Sequence, residues 1–529
     1  MVENKEESFY IWTTLIVVVI GTFMAILDSS IVNIAIPKMM AIFQVSVEKS
    51  RWIITSYTLT LGAVIPLTGY LTDRFGSKKI YIIALAIFTL GSLLCSLSWS
   101  ISAMIFFRVI QGLGGGMLMP VSMAILFQVV PQEKRGFALG LWGIAAMAAP
   151  TIGPTLSGYI IDYLDWRIIF TINLPIGFVG IILSSILLRE SPKKADKQFD
   201  LIGFITSTVA MVFLLYLMGE GSNLDWKNIS NVLLLVTGLF SLVIFVVNEL
   251  THPAPLLDLR LLKIFPFTLS IIISSVLNMS MFGVIFLIPL YLQNLAGYTP
   301  MQTGMIMLPS ALAAGIFMAL GGRLFDKFGA KPLLVPGTLL LIYATYSLSH
   351  ISLDMPLKVI VYLLIVRSMA LGFTAMPAST AGMNCVPKPL IARATALSNT
   401  FRQIAVSMSV TILTTIMLRV QNMKYAAYAT DINPFNQTAS TALGLIQKML
   451  MQTGAGKSEA ISASYSAIYG IIAKQAFLDS INVALTVSTV FAIIALPLSF
   501  LMRGKETCNE ETRRINSEEA KIDSTITID

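Results

Sequence analysis

The chain has 529 residues, of which 56% are hydrophobic and 12% charged. Soluble domains carry about 25% charged residues, so a soluble chain this apolar could not cover its surface. The net charge of +8 invites a nucleic-acid partner, but the Lys and Arg residues are scattered over short connections instead of forming one basic face, and no nucleic acid is expected.

Apolar runs near or above 20 residues recur along the chain, each able to cross a hydrocarbon core of about 30 Å. They are continuous, not alternating, which selects helices over a barrel. In chain order the predicted helices cover 11–36, 52–71, 80–98, 102–126, 137–161, 168–188, 201–218, 231–250, 267–292, 303–322, 333–349, 357–382, 394–418 and 479–502. The first follows an acidic segment, MVENKEES, and is longer than a signal-peptide apolar region, so it is expected to be an uncleaved membrane helix. The fold class is therefore an all-α membrane protein.

The first predicted helix carries Asp28 within the sequence LDSSIVNIAIP, Leu27 to Pro37. A charge in mid-membrane costs about 2.5–3.5 kcal/mol on insertion scales, and such acids mark ion or proton pathways. At about 100° per residue Gly21, Thr22, Ala25, Asp28, Ser29, Val32 and Asn33 share one sector. That small polar face belongs against protein or a water-filled cavity. Proton coupling and a structural acid bonded to a neighbouring helix both fit. An exposed aspartate is ionised at neutral pH, and burial is what brings a carboxyl into a range where it loads and sheds protons.

The connection after the second helix reads Gly69-Tyr-Leu-Thr-Asp73-Arg74-Phe-Gly76-Ser-Lys78, and it returns as Gly322-Arg-Leu-Phe-Asp326-Lys327-Phe-Gly329-Ala-Lys331. The next connections on the same side repeat too, Pro131 to Lys134-Arg135 against Pro389 to Arg393. Two related bundles with a substrate path between them are implied. Asp73 with Arg135, and Asp326 with Arg393, are the expected latches of a gate, with solvated turns as the plainer account. In the fourth helix, Arg108 opens RVIQGLGGGMLMP; it either pairs with a carboxylate or snorkels to the outer interface. Gly112 and Gly116, four apart, let a neighbouring helix approach. The fifth helix carries Gly143, Pro150, Gly153, Pro154 and Gly158, with Pro154 expected to bend it.

The expected organisation is an N-terminal six-helix bundle over 1–190, two extra membrane helices over 201–250 and a C-terminal six-helix bundle over 266–502. The last contains a long external segment at 420–478, partly helical around Thr441–Gln452 and again from Ala460. A charged, disordered tail, 503–529, follows. With both termini cytoplasmic, the cytoplasmic segments hold about twice the Lys and Arg of the external ones. The linker residues Arg189, Lys193, Lys194 and Lys197 contribute to that excess. Trp52, Trp99, Trp166 and Trp226 then form an outer interfacial belt. Arg367 and Arg402 lie in second-half helices with no equally central acid. Three widely spaced cysteines and two histidines give no metal spacing, and no G-x-x-x-x-G-K-[ST] loop is present, so neither a metal, a cofactor nor an enzyme activity is expected.

Taken together, the loop motif at 69–79, the RVIQG element, the glycine–proline motif at 143–158 and LDSSIVNIAIP resemble the major facilitator superfamily, specifically its 14-helix drug:proton antiporters of the EmrB/QacA type. The resemblance covers nearly all fourteen helices. It implies the major facilitator fold, two six-helix bundles plus two extra helices, and places Asp28 and Arg108 in proton coupling and the 143–158 motif in export. The external segment with INPFN, Ile432 to Asn436, is closer to the EmrB branch, whose members can work with a membrane-fusion adaptor protein. The sequence lacks the second-half membrane acid of some QacA-type members. The expected function is proton-coupled export of small lipophilic or cationic drug-like compounds across the plasma (inner) membrane, powered by the proton-motive force. Two alternatives stay open. One is a carrier of this fold for a lipid, amino acid or siderophore. The other is a non-transporting receptor or scaffold, for which Asp28→Asn would change nothing.

Overall fold

The computed structural model describes residues 2–191, 199–221, 224–433, 435–454 and 456–502. The linker residues Lys193, Lys194 and Lys197 and the tail 503–529 lie outside the described residues. The described residues form helices and connections without a strand. The helices are α1 (Val2–Phe43), α2 (Val47–Val64), α3 (Leu67–Phe75), α4 (Ser77–Ser96), α5 (Ile101–Val129), α6 (Arg135–Tyr163), α7 (Ile168–Thr171), α8 (Asn173–Leu187), α9 (Leu201–Glu220), α10 (Ile229–Thr251), α11 (Phe265–Asn294), α12 (Pro300–Phe328), α13 (Lys331–Leu348), α14 (Leu357–Met383), α15 (Ile391–Thr430), α16 (Gln437–Gln452) and α17 (Lys457–Leu501).

Local chemistry sets many of the boundaries. Ser46, Ser100 and Thr299 cap α2, α5 and α12, and Thr299 with Gln302 closes a full capping box ahead of Pro300. The two repeated loop motifs each turn on a glycine with positive φ, Gly76 at 88° and Gly329 at 82°, where a side chain would be strained. Pro66 separates α2 from α3, and the pair is bent by 55°.

All fourteen predicted stretches fall on helix. Among the described residues twelve helices are long and apolar enough to cross a membrane, or thirteen with α2 and α3 as one bent span. Of the fourteen predicted spans, the one outside that set is α13, predicted as the eleventh. It has 18 residues, opens on Lys331-Pro332 and contains Pro336, yet it packs in the bundle against α14 and α17. The segment 420–478 is mostly helix: α15 runs on to Thr430, α17 starts at Lys457, and α16 lies against α17. The tryptophan belt needs one correction. Trp52, Trp99 and Trp226 are exposed, but Trp166 is buried between Phe43 and Phe170, because the turn before α7 folds back onto the end of α1.

The two halves repeat one packing scheme. In the first, α1 packs on α5 and α8, and α4 packs on α5 and α8; in the second, α11 packs on α14 and α17, and α13 on α14 and α17. Two seams join the halves. Along one, α6 runs antiparallel to α12, and the helices meet backbone to backbone. A Cβ on Gly322 would stand 2.1 Å from the Gly136 carbonyl oxygen, and one on Gly140 would stand 2.4 Å from that of Met318. Along the other seam, α15 meets α3 and α5 at the end carrying the two loop motifs, here called the motif end, and meets α9 beyond it. The Thr411 hydroxyl donates to the Met218 carbonyl there. The extra pair is thus no appendage: α9 packs on α2 of one half and α15 of the other, while α10 packs mainly on α9.

Candidate functional site

Asp28 and Arg108 meet. Both are fully buried, and Arg108 Nη1 donates to Asp28 Oδ2 at 2.5 Å. The pairing reading therefore replaces the snorkelling one. Arg108 stands about two turns into α5, opposite the middle of the apolar part of α1. Its Nε donates to the Ile53 carbonyl of α2 (3.1 Å), its Nη1 also donates to Gln111 Oε1 (2.7 Å), and its guanidinium lies 4.0 Å from the Tyr57 ring centroid. The Asp28 carboxylate accepts two further donors, Gln111 Nε2 (2.8 Å) and Asn173 Nδ2 (3.0 Å). Both amides also reach Ser92 Oγ, at 2.6 and 3.3 Å. Four helices, α1, α4, α5 and α8, thereby converge on one acid. Charge-assisted bonds of this kind are roughly twice as strong as neutral ones.

Helix approach makes the cluster possible. A Cβ on Gly91 would fall 2.5 Å from the Gln111 Cα, so only glycine lets α4 lie close enough for Ser92 to reach both amides. Toward the end opposite the motifs the cluster is covered by Leu27, Ile31, Ile53, Cys95, Met104 and Phe170. In this conformation the acid has no contact with solvent, so proton exchange needs movement of α1 against α5 and α8.

The predicted polar face of α1 divides. Asp28, Thr22 and Val32 are buried, while Ser29 is half-buried and bonded to its own helix at the Ile26 carbonyl, and Asn33 is exposed. Ser29 and Asn33 therefore turn away from the pair. A 100° sector is broad enough to cover both the packed side of a helix and its flank, which is why the sequence grouped them. Gln111, Asn173, Ser92 and Tyr57 were not singled out. Gln111 lies three residues after Arg108 on the same helical face, a usable signal; a neutral Asn or Ser in an apolar helix gives none.

The residues expected to form a gate gather at the motif end, but not in the expected pairs. Arg393 Nε binds Asp73 Oδ2 at 3.0 Å and its Nη1 binds Asp258 Oδ2 at 3.1 Å. Asp326 accepts the backbone N–H groups of Gly136 (2.9 Å) and Phe137 (3.0 Å), at the start of α6. Arg135 instead spends its donors on the Val130 and Phe127 carbonyls and on Asn384 Oδ1. The pairing of Asp73 with Arg135 and of Asp326 with Arg393 is thus corrected: each acid engages the other half. The reason is geometric, since α3 lies against α15 and α12 against α6, and Gly69 would put a Cβ 3.3 Å from the Arg393 Cα. A carboxylate at a helix start also satisfies orphan N–H groups and the helix dipole. Of the remaining motif residues, Arg74 bonds the Tyr70 hydroxyl, Lys78 Nζ donates to the Ser185 carbonyl (2.8 Å), and Lys327 lies over the Phe328 ring, 5.1 Å from its centroid.

The glycine–proline motif faces both ways. α6 continues as helix through Pro150 and Pro154. Gly143 faces Met318 of α12, and Gly158 lies in ordinary contact with Met301. Gly153 is pressed against Ser30, whose hydroxyl donates to the Pro150 carbonyl (3.2 Å), and the Ser157 hydroxyl donates to the Ile31 carbonyl (2.9 Å). α6 thus ties the helix bearing Asp28 to the seam between halves.

Asp258, in the connection before α11, was not expected in the gate. Burial pushes its carboxyl above the ordinary carboxylate range; the Arg260 backbone N–H and guanidinium act the other way, and Asp73 adds to the rise. The latched form therefore takes up a proton on Asp258 more readily than a solvated aspartate does. By linkage, this group's contribution to closure is present at low pH and is lost as pH rises through the raised value. Asp73 keeps Arg393 in place meanwhile. Spin labels at the motif ends of α3 and α15 should report a latched population that falls as pH rises above the ordinary carboxylate range. Asp258→Asn should flatten that response, and a native chain whose label distances ignore pH would contradict the assignment.

A family model described as Major Facilitator Superfamily matches residues 18–410. The chain is 34% identical to an uncharacterized MFS-type transporter YhcA of Bacillus subtilis (strain 168), over 96% of this chain and 95% of that protein. It is 31% identical to the multidrug export protein EmrB of Escherichia coli (strain K12), over 82% of this chain and 85% of that protein. Among solved structures, the human organic anion transporter MFSD10 (TETRAN) superimposes with a TM-score of 0.56 at 12% identity, covering 91% of this chain and 99% of that one, which speaks for the fold alone.

Proposed function

The chain belongs to the Major Facilitator Superfamily, a family of membrane transporters, and from that premise we propose that it exports lipophilic or cationic drug-like compounds by alternating access, driven by protons entering the cell. The membrane is the plasma (inner) membrane, with the motif end and both termini on the cytoplasmic side. The proton-motive force serves as the energy source, and no cofactor takes part. Two relatives, each 31% identical, support the cargo class by their names: the multidrug export protein EmrB and the probable multidrug resistance protein EmrY of Escherichia coli (strain K12).

The observation that carries the coupling reading is the Asp28–Arg108 cluster: one acid inside a membrane span, held by three donors from two other helices and sealed from water. A proton arriving at Asp28 cancels the charge that holds Arg108. Arg108 then falls back on the Ile53 carbonyl, Gln111 Oε1 and the Tyr57 ring, so the cation is never stranded. α1 is released from α5 and α8, and through Ser30 and Ser157 the change reaches α6 and the seam. The cross-half bonds of Asp73 and Asp326 hold the cytoplasmic end shut and need shift a two-state balance by only a few kcal/mol. The projection built from α16 and the ends of α15 and α17, with Phe435, Leu445 and Met449 exposed, is the surface offered to a membrane-fusion adaptor.

Proteoliposomes holding the purified chain and a lipophilic cationic dye test the reading. An imposed pH gradient should drive dye against its concentration gradient, and dye addition should in turn drive proton movement. Dye movement indifferent to the pH gradient would remove proton coupling; no movement of any tested cation or neutral amphiphile would remove the cargo class.

A further inference from the structure

The second bundle repeats the scaffold of the coupling cluster without its acid. Ser280 precedes Pro289 in α11 at the spacing with which Asp28 precedes Pro37 in α1. Thr345 follows Lys331 as Ser92 follows Lys78. Arg367 opens Arg-Ser-Met-Ala-Leu-Gly in α14 as Arg108 opens Arg-Val-Ile-Gln-Gly-Leu in α5, which sets Ala370 where Gln111 stands. α11 and α13 both pack on α14, as α1 and α4 both pack on α5. The cation has been kept while the carboxylate and the amide beside it have become a hydroxyl and a methyl group.

The consequences are visible in the hydrogen bonding. Arg367 is 4% exposed, and its Nη2 donates to the carbonyl of Met281, the residue after Ser280, at 2.7 Å. Its Nε is buried and has no hydrogen-bond partner among the described residues. The same holds for Ser280 Oγ and Thr345 Oγ1, both on fully buried residues. Among the described residues no carboxylate lies within ion-pair distance of Arg367. An arginine stays charged, and a buried charge with neither counter-ion nor full hydrogen bonding is costly inside a membrane. By the repeat, Ser280 and Thr345 take the places around Arg367 that Asp28 and Ser92 take around Arg108, and a guanidinium N–H and two hydroxyls so placed, with no acid among them, have the chemistry of an anion site.

We propose that the Arg367–Ser280–Thr345 cluster binds a small monovalent inorganic anion of chloride size, taking the place that the Asp28 carboxylate holds in the first bundle. Serine and alanine are smaller than the aspartate and glutamine at the matching positions, which favours one halide over a phosphate or an organic acid. The bound ion neutralises Arg367 and ties α11, α13 and α14 together, so that the second bundle is the stiff partner against which the first rearranges. This site lies outside the coupling cluster and does not depend on what the transporter carries.

The test is thermal unfolding of the purified, detergent-solubilised chain in sodium chloride against sodium gluconate at equal ionic strength. Chloride should raise the melting temperature of the native chain in a saturable way, and bromide should replace it. Arg367→Gln should lose the halide response. Ser280→Asp, which restores an acid opposite Arg367, should melt equally in both salts. Equal melting of the native chain in both salts would overturn the proposal, as would a full halide response in Arg367→Gln. If Arg367→Gln does not fold, Ser280→Asp decides alone: an undiminished halide response there overturns it. The readout needs no substrate, so its failure would leave the transport reading standing.

Discussion

Asp28→Asn is expected to reduce substrate-driven proton flux to the level of empty vesicles while the protein still folds and inserts. The substitution keeps the shape of the side chain and one acceptor for Arg108 Nη1, but removes the group that can gain and lose a proton. The new amide would point its N–H₂ at Gln111 Nε2 or Asn173 Nδ2, both donors, and at least one of those amides must turn over. That rearrangement costs about 1–3 kcal/mol of stability, too little to prevent folding. The functional loss is larger because it is one of kind. One proton moving down about 100 mV supplies about 2.3 kcal/mol, enough to hold roughly a fifty-fold substrate gradient. A carrier without a titrating site can only equilibrate its cargo. Facilitated, gradient-independent substrate movement by the mutant is therefore the expected residue of activity. Native-like proton flux in Asp28→Asn, measured with a pH dye inside the vesicles, would sink the assignment.

The Asp28–Arg108 pair was legible in the sequence because a lone charge inside a long apolar run has no inconspicuous explanation. The gate residues were legible for a different reason, the repetition of a ten-residue motif. Their partners were not. Arg393 and Asp73 are 320 positions apart and come from opposite halves, and a repeat suggests pairing within each copy when the bonds in fact run between copies. Asp258 gave no warning either, since an acid near a helix end is ordinary until the fold buries it beside Arg393. The neutral members of the cluster were hidden by their ordinariness: Asn173 and Ser92 matter only because Gly91 brings α4 against α5. The α13 span shows the opposite limit, a helix whose place in the bundle is set by packing although its own sequence is short and interrupted by prolines.

Arg108→Gln is expected to destabilise the chain far more than Asp28→Asn, and the double variant is expected to recover most of the difference. The asymmetry follows from the partners left behind. Without Asp28 the guanidinium keeps a backbone carbonyl, a side-chain amide oxygen and an aromatic face. Without Arg108 the carboxylate keeps two neutral amide donors and sits as an uncompensated negative charge beneath Leu27, Met104 and Phe170. Removing one member of a buried ion pair costs about 3–5 kcal/mol, whereas replacing both by neutral groups is often close to neutral. A double-mutant cycle read by unfolding in mild detergent should accordingly give a coupling energy of about 3–5 kcal/mol between positions 28 and 108, close to the cost of Arg108→Gln alone. Proton-driven accumulation should be absent in all three variants, because the double variant restores packing without restoring a site for the proton. Additive stability losses in the cycle would mean that the two side chains do not sense each other's charge. The release of Arg108 on protonation of Asp28 would then lose its physical basis, since the step relies on the same interaction that the cycle measures.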